Sequence, residues 1–309
     1  MMKKKTQNTF LLILTAFIWG IAFVAQSEGG DAIGPFSFNC IRSFLGSVAL
    51  LPVIRFLDHK KISSAPTNPI EKRKLLIGGI TCGTIMFLAT NLQQFGISLG
   101  TSAGKAGFLT ACYIIFVPLI GILFGRKCGL HIWIGVILSV IGLYLLCIDK
   151  NLSFELSDIL ILLCAVCFAI HILVIDHFAP YVDGVRLSCM QFLICGILTV
   201  LPMIFCEIGF SFESVKQWYT SFLSHEAWIS LLYAGILSSG VAYTLQIIGQ
   251  KEVHPTVASL LLSLESVFAV IAGWLILGQR MTHKQLIGCA LIFIAITLTH
   301  LTKAKKEVS

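Results

Sequence analysis

Charge is scarce in this sequence, and most of what the chain can be follows from that scarcity. Asp, Glu, Lys and Arg make up 12% of the 309 residues, while 57% are hydrophobic. A soluble globular chain carries about 25% charged residues. So little polar surface leaves much of the molecule to meet lipid. Apolar runs of about 18 residues or more recur along the whole chain, which argues for an all-α polytopic membrane protein. The alternating segments of about ten residues that mark a membrane β-barrel are missing. No G-x-x-x-x-G-K-[ST] loop is present, which argues against an ATP-driven pump in one chain. Cys164 and Cys167 form a C-x-x-C, but without a second pair or a matching His spacing. The eleven cysteines therefore read as small hydrophobes inside apolar spans, and neither a metal site nor a cofactor is expected. No A-x-A site follows the first apolar run, so the basic N-terminus leads into a retained helix.

What is there reads as ten spans, at about 9–26, 36–57, 75–98, 103–124, 131–148, 156–178, 185–206, 227–249, 255–277 and 284–301. Each has the length that crosses a hydrocarbon core of about 30 Å. The segment 207–226 carries Trp218, Tyr219 and Phe222 and reads as a short interfacial helix. The net charge of +7 sits in short loops and at the termini, as topology signals do, and does not point to nucleic acid. With the N-terminus in the cytoplasm, fifteen basic residues fall inside. Five fall outside: Lys105, Lys150, Lys216, Arg280 and Lys284. Both termini are then expected in the cytoplasm, and the plasma membrane is the expected location.

The chain repeats itself. Residues 89–145 slid onto 242–298 without a gap give twelve identities, among them Gln93/Gln246, Gly96/Gly249, Gly125/Gly278 and Gly135/Gly288. Earlier in each half, at an offset of 149, Trp19 meets Phe168, Cys40 meets Cys189 and Arg42 meets Gln191. Five spans per half is an odd number, so the halves, 9–148 and 155–301, enter the membrane in opposite senses. Such inverted repeats build many secondary transporters, with the substrate site near the midplane between the halves.

Several motifs resemble the EamA family of the drug/metabolite transporter superfamily. They are Trp19-Gly20-x-x-Phe23-Val24-Ala25-Gln26, Gly34-Pro35-Phe36 with Asn39 and Arg42, Ala106-Gly107-Phe108-Leu109-Thr110 with Val117-Pro118, and Ser263-Leu264-Glu265-Ser266-Val267-Phe268-Ala269 with Leu277-Gly278. The resemblance implies a carrier whose site is lined by spans 1–4 and 6–9, with spans 5 and 10 peripheral. It also implies export or exchange of amino-acid-like metabolites. The chain departs from the family's L-G-E at two places, which read Leu277-Gly278-Gln279 and Phe124-Gly125-Arg126. A proline frequent after the glutamate is Ser266 here, which makes a kink at that point less expected.

One acid, Glu265, sits mid-span. A charge at that depth costs roughly 2.5–3.5 kcal/mol on insertion scales, so it should face protein or water. It reads as a proton- or cation-coupling carboxylate, as a partner for a cationic substrate group, or as a structural hydrogen-bonding acid. In the repeat its counterpart is Cys112, so a paired-carboxylate mechanism is not supported. Arg42, with Asn39 one turn away, reads as a receptor for a substrate carboxylate, as a partner of Glu265, or as a side chain snorkelling to headgroups. Asn91, Gln93, Gln94 and Gln246 read equally as substrate ligands and as interhelical glue. Trp19, Phe23, Tyr113, Tyr243 and Trp274 are candidates for an aromatic pocket. His171 reads as a buried histidine bonded to a carbonyl rather than a proton relay. Asp176, His177 and Asp183 read as solvated, Lys105 as interfacial, and Gly121-x-x-x-Gly125 as a close helix contact. The substrate-binding set is therefore Trp19, Asn39, Arg42, Asn91, Gln93, Tyr113, Gln246 and Glu265.

The expected partners are the lipid bilayer, a small-molecule solute, a coupled proton or cation, and a second copy in a homodimer. Two other classes remain open. A membrane-embedded enzyme acting on a lipid-linked substrate needs paired acids or a histidine cluster. A non-transporting scaffold predicts that substitutions at Glu265 and Arg42 are silent.

Overall fold

The structure is a computed structural model and describes residues 2–63, 65–101, 103–126, 128–147, 155–222, 225–277 and 282–306. All regular structure among them is helical. The chain runs α1 (Met2–Ile33), α2 (Pro35–His59), α3 (Pro69–Ser98), α4 (Ala103–Ala111), α5 (Tyr113–Leu123), α6 (Leu130–Cys147) and α7 (Leu156–Phe178). It continues with α8 (Gly184–Pro202), α9 (Phe212–Ser221), α10 (His225–Leu232), α11 (Tyr243–Gln250), α12 (Pro255–Leu262), α13 (Leu264–Leu277) and α14 (His283–Lys306). Wide π-type turns extend α8 over Met203–Ile208 and join α10 to α11 over Tyr233–Ala242.

Among the described residues, eight helical stretches are long and apolar enough to cross a membrane. The fifth and the tenth expected spans fall on the apolar stretches Leu130–Leu146 and His283–Leu298, which belong to α6, 18 residues long, and α14, 24 residues long. At 1.5 Å per residue those helices reach about 27 and 36 Å. The expected interfacial segment holds α9, capped by Ser211, with Phe212 and Tyr219 exposed.

Burial is inverted relative to a soluble protein. Leu51, Leu88, Ile137, Leu163, Ile197 and Phe293 are exposed, while Ser37, Asn39, Gln191, Ser188 and Ser259 are fully buried. The outer face therefore suits lipid, and polar groups meet one another inside.

The halves pack across each other in matched pairs: α3 on α7 and α1 on α11, α3 on α8 and α2 on the 233–242 stretch, α6 on α14. Individual contacts recur too. Gly96 packs on the Ser157 carbonyl and Ile161, and Gly249 packs on the Asn8 carbonyl and Leu12. These partners are related by the offsets of 153 and 149. Gly83 packs on the Gln191 carbonyl and Ile194, and Gly235 on the Arg42 carbonyl and Leu45. Here the glycines are 152 apart, one fewer than downstream. The π-type stretch accounts for the difference, because a π-bulge is a one-residue insertion in an α-helix.

The fourth and ninth stretches are both broken near their middles. At Cys112 the amide bonds back to Leu109, and the Ile115 amide bonds to Cys112, so the turn tightens to i→i−3. In the other half Ser266 bonds to Ser263 in the same way. The break at Ser263 forms without the proline usual in the family.

Charged contacts hold the ends of the bundle, and they correct the reading of two acids as simply solvated. At one end Lys105 Nζ lies 2.6 Å from Asp158 Oδ2, with Asp158 fully buried, so Lys105 has an ion-pair partner beyond its expected place at the interface. At the same end the Glu207 carboxylate accepts from the Phe36 and Ser37 amides at 2.7 Å and caps α2. At the other end Arg126 pairs with Asp176 at 2.5 Å, and Arg186 pairs with Asp58. Asp183 caps α8 through the Arg186 amide and accepts from Ser63 Oγ. Asp176 and Asp183 are thus bound rather than simply solvated, while His177 rests edge-on against Phe178 and Tyr181. Gly121-x-x-x-Gly125 is not a close helix contact. A Cβ at Gly121 would meet nothing nearer than 3.6 Å, and Gly125 ends α5 with φ of 77°.

Candidate functional site

The tight turns at Cys112 and Ser263 lie beside a central cavity. Its wall is made by Trp19, Phe23 and Gln26 of α1, Arg42 of α2, Gln93 of α3, Thr110 of α4 and Tyr113 of α5. From the second half come Phe168 and Ile172 of α7, Ser238 of the π-type stretch, Tyr243 and Gln246 of α11, Leu262 of α12 and Glu265 of α13. The cavity volume is about 40 Å³. That is room for a few waters, since one needs about 10–15 Å³ by the same measure. The walls must part to admit an organic solute.

The wall carries pseudo-symmetric pairs. Gln93 and Gln246 match at an offset of 153, and Trp19/Phe168 and Phe23/Ile172 match at 149. The two charges break the symmetry. Arg42 comes from the first half; its counterpart in the second, Gln191, is buried and bonded at 3.0 Å to His171 Nε2. Glu265 comes from the second half; its counterpart in the first, Cys112, donates to the Phe108 carbonyl.

Glu265 is 4% exposed, and the Tyr113 hydroxyl donates to its Oε1 at 3.2 Å. The α13 backbone that holds it is pressed against α1 at Gly20. A Cβ there would stand 2.7 Å from the Glu265 carbonyl oxygen. Tyr243 sits between elements of both halves, with its ring 4.5 Å from Trp19 and 5.1 Å from Phe192. Gln93 Nε2 donates to Thr110 Oγ1 at 3.0 Å. Buried polar atoms without a partner include Trp19 Nε1, Gln26 Oε1 and Gln246 Oε1.

Arg42 is 5% exposed, so its guanidinium is held among helices and is not snorkelling to headgroups. Its charged carbon lies 5.6 Å from the centre of the Phe38 ring. Among the described residues no carboxylate pairs with it, so Arg42 and Glu265 share a cavity without forming an ion pair.

Of the eight residues expected to bind substrate, the structure brings Trp19, Arg42, Gln93, Tyr113, Gln246 and Glu265 to this wall. Asn39 and Asn91 stand elsewhere. Asn39 Nδ2 donates to the Thr90 carbonyl at 2.8 Å and to Asn91 Oδ1 at 3.2 Å. Asn91 Nδ2 donates to the Phe87 carbonyl and to Thr199 Oγ1. The NH₂ groups of both amides tie α2, α3 and α8 together. Gln94 likewise donates to the Gln26 carbonyl between α3 and α1. His171 is buried, and its Nε2 pairs with the side-chain carbonyl oxygen of Gln191. The Trp274 side chain lies outside the described residues. Thr110, Phe168, Ile172, Ser238 and Leu262 also line the cavity. Of these, Phe168, through its pairing with Trp19, Leu262, through its identity with Leu109 in the repeat, and Thr110, through its motif, had a signal in the sequence.

Comparison with known proteins agrees with this architecture. The model of the EamA-like transporter family matches residues 8–148 and again 155–301. A protein of Archaeoglobus fulgidus named "Uncharacterized transporter" is 27% identical over 94% of this chain and 84% of its own. YoaV of Bacillus subtilis, also named an uncharacterized transporter, is 25% identical over 96% of this chain and 98% of its own. A chloroplastic WAT1-related protein of Arabidopsis thaliana is 27% identical over 95% and 70%. A solved crystal structure superposes with a TM-score of 0.75 at 16% identity over 96% of each chain, a likeness of fold alone. With its apolar helices and this match over nearly its whole length, the chain is a multi-pass membrane protein and belongs to the EamA-like transporter family of the drug/metabolite transporter superfamily.

Proposed function

We propose that this protein is a secondary transporter of small organic metabolites, working by alternating access between two inverted five-span repeats, 9–148 and 155–301. The observation that carries the reading is the cavity itself. Both halves build it, and it holds a buried carboxylate whose side-chain partner is the Tyr113 hydroxyl. The recurring glycine contacts, the matched helix pairs and the two mid-helix breaks support the two-fold arrangement. In the proposal the helices α6 and α14 complete ten spans at the periphery, and both termini lie on the cytoplasmic side of the plasma membrane.

Glu265 is the coupling group in this scheme. A carboxyl that is neutral when protonated crosses the low-dielectric interior at less cost than a carboxylate. Protonation from one side and release to the other would tie solute movement to the proton gradient. Tyr113 donates to the ionised form and holds it in place. The solutes are small metabolites, amino-acid-like by resemblance to the family, moved by export or exchange.

The test uses proteoliposomes loaded with a small-molecule cell extract under an imposed pH gradient, with solutes followed by mass spectrometry. Wild type is expected to move a subset of solutes against their gradients. Glu265→Gln is expected to lose that accumulation while retaining exchange. Full accumulation by Glu265→Gln would remove Glu265 from the coupling role.

A further inference from the structure

The cavity holds a cation with nothing to neutralise it. Arg42 lines the wall, is 5% exposed, and has no ion pair among the described residues; its charged end rests against the apolar Phe38 ring. Elsewhere the chain pairs its buried charge: Asp158 has Lys105, and Glu265 has the Tyr113 hydroxyl. A buried guanidinium left open is a site waiting for an acceptor, because its five N–H donors need partners in a low-dielectric space. Glu265 does not fill that role in this structure: its partner is the Tyr113 hydroxyl, and among the described residues no ion pair joins it to Arg42.

We infer that the transported solute carries a carboxylate, or an equivalent singly charged anionic group, and that Arg42 of α2 is its receptor. This rests on the transporter reading and adds the chemical class of the solute. The wall carries a single cation, which matches one negative charge rather than the two of a phosphate monoester. A carboxylate takes the guanidinium fork in two parallel bonds, the geometry arginine is built for. Around it, Trp19, Phe23, Phe168 and Tyr243 offer an aromatic and apolar surface for the solute body. Gln26 and Gln246 present carbonyl oxygens without a partner, which call for a hydrogen-bond donor on the same solute. The absent counterpart in the other half, where Gln191 is engaged with His171, makes this a one-ended site with a fixed polarity. A solute can therefore bind in one orientation, charged end toward α2.

The experiment compares wild type, Arg42→Gln and Arg42→Lys in proteoliposomes loaded with a small-molecule cell extract, run in chloride and in chloride-free buffer. Mass spectrometry identifies the solutes that leave. The expected result is that the solutes moved by wild type share an anionic group, that Arg42→Gln moves them about 10- to 100-fold more slowly, and that Arg42→Lys retains part of the rate. Arg42→Gln is also expected to melt no lower than wild type, because it removes an unpaired charge and breaks no bond; should it fail to fold, Arg42→Lys and the wild-type solute list carry the test. A wild-type list of solutes without any anionic group, an unchanged rate in folded Arg42→Gln, or transport of solutes without an anionic group that depends on chloride would each overturn the inference and leave the transporter reading standing. If wild type moves no solute at all, the transporter reading itself fails.

Discussion

Replacing Gly20 with alanine adds one methyl group at the most crowded contact in the site. On ideal geometry the new Cβ lies 2.7 Å from the Glu265 carbonyl oxygen, 2.7 Å from Phe268 Cβ and 2.8 Å from the Ala269 nitrogen. Ordinary contact begins at 3.4 Å, so the overlap is about 0.6–0.7 Å. Two of the three neighbours are backbone atoms, which cannot swing aside, so α1 and α13 must separate. Overpacking of this kind costs about 1–3 kcal/mol. Alanine returns about 0.8–1 kcal/mol of helix propensity. The balance is a loss of up to about 2 kcal/mol. Gly107→Ala provides the control, since its Cβ would meet nothing nearer than 3.9 Å. With propensity alone at work, it should gain up to about 1 kcal/mol. Reversible unfolding of both variants in mixed micelles reads the two signs. Gly20→Ala should also slow transport, because the displaced α13 carries Glu265. Equal stability of wild type and Gly20→Ala, or the same sign for both variants, would refute the packing argument.

Other contacts give further expectations. Asp158→Asn leaves the buried end of the Lys105 contact without its charge and should cost about 1–3 kcal/mol in the same unfolding measurement. Asp58→Asn, whose side chain is 40% exposed, should cost less than about 1 kcal/mol. Glu207→Gln puts an N–H₂ where two backbone amides and the Ser37 hydroxyl now converge on a carboxylate. It should speed hydrogen exchange at Phe36 and Ser37, and unchanged exchange there would show that the cap is not held by the carboxylate.

The helices were legible because apolar runs of span length need no partner to be recognised. Glu265 stood out because one acid within an apolar run has no local explanation. The amides were harder: Asn39 and Asn91 look no different in sequence from Gln93 and Gln246. Which amide faces a cavity is decided by rotation of α2 and α3 against α8. The end contacts join residues 50 to 171 positions apart, such as Arg126 with Asp176 and Phe36 with Glu207, so local pattern could not pair them. The ungapped repeat begins at Ala89/Ala242 for a physical reason. The π-type stretch ends at Ala242, and its extra residue shifts the register of everything before it. Ser238 lies inside that stretch, which is why it reached the cavity wall without a signal in the repeat.

The central claim is that one cavity opens in turn to both sides of the membrane. Ser238→Cys, in a background with the eleven native cysteines replaced, places a small thiol on its wall. Labelling with a membrane-impermeant thiol reagent in right-side-out and in inside-out vesicles reads the access directly. The account predicts modification from each side. Modification from one side alone, or from neither, would contradict it.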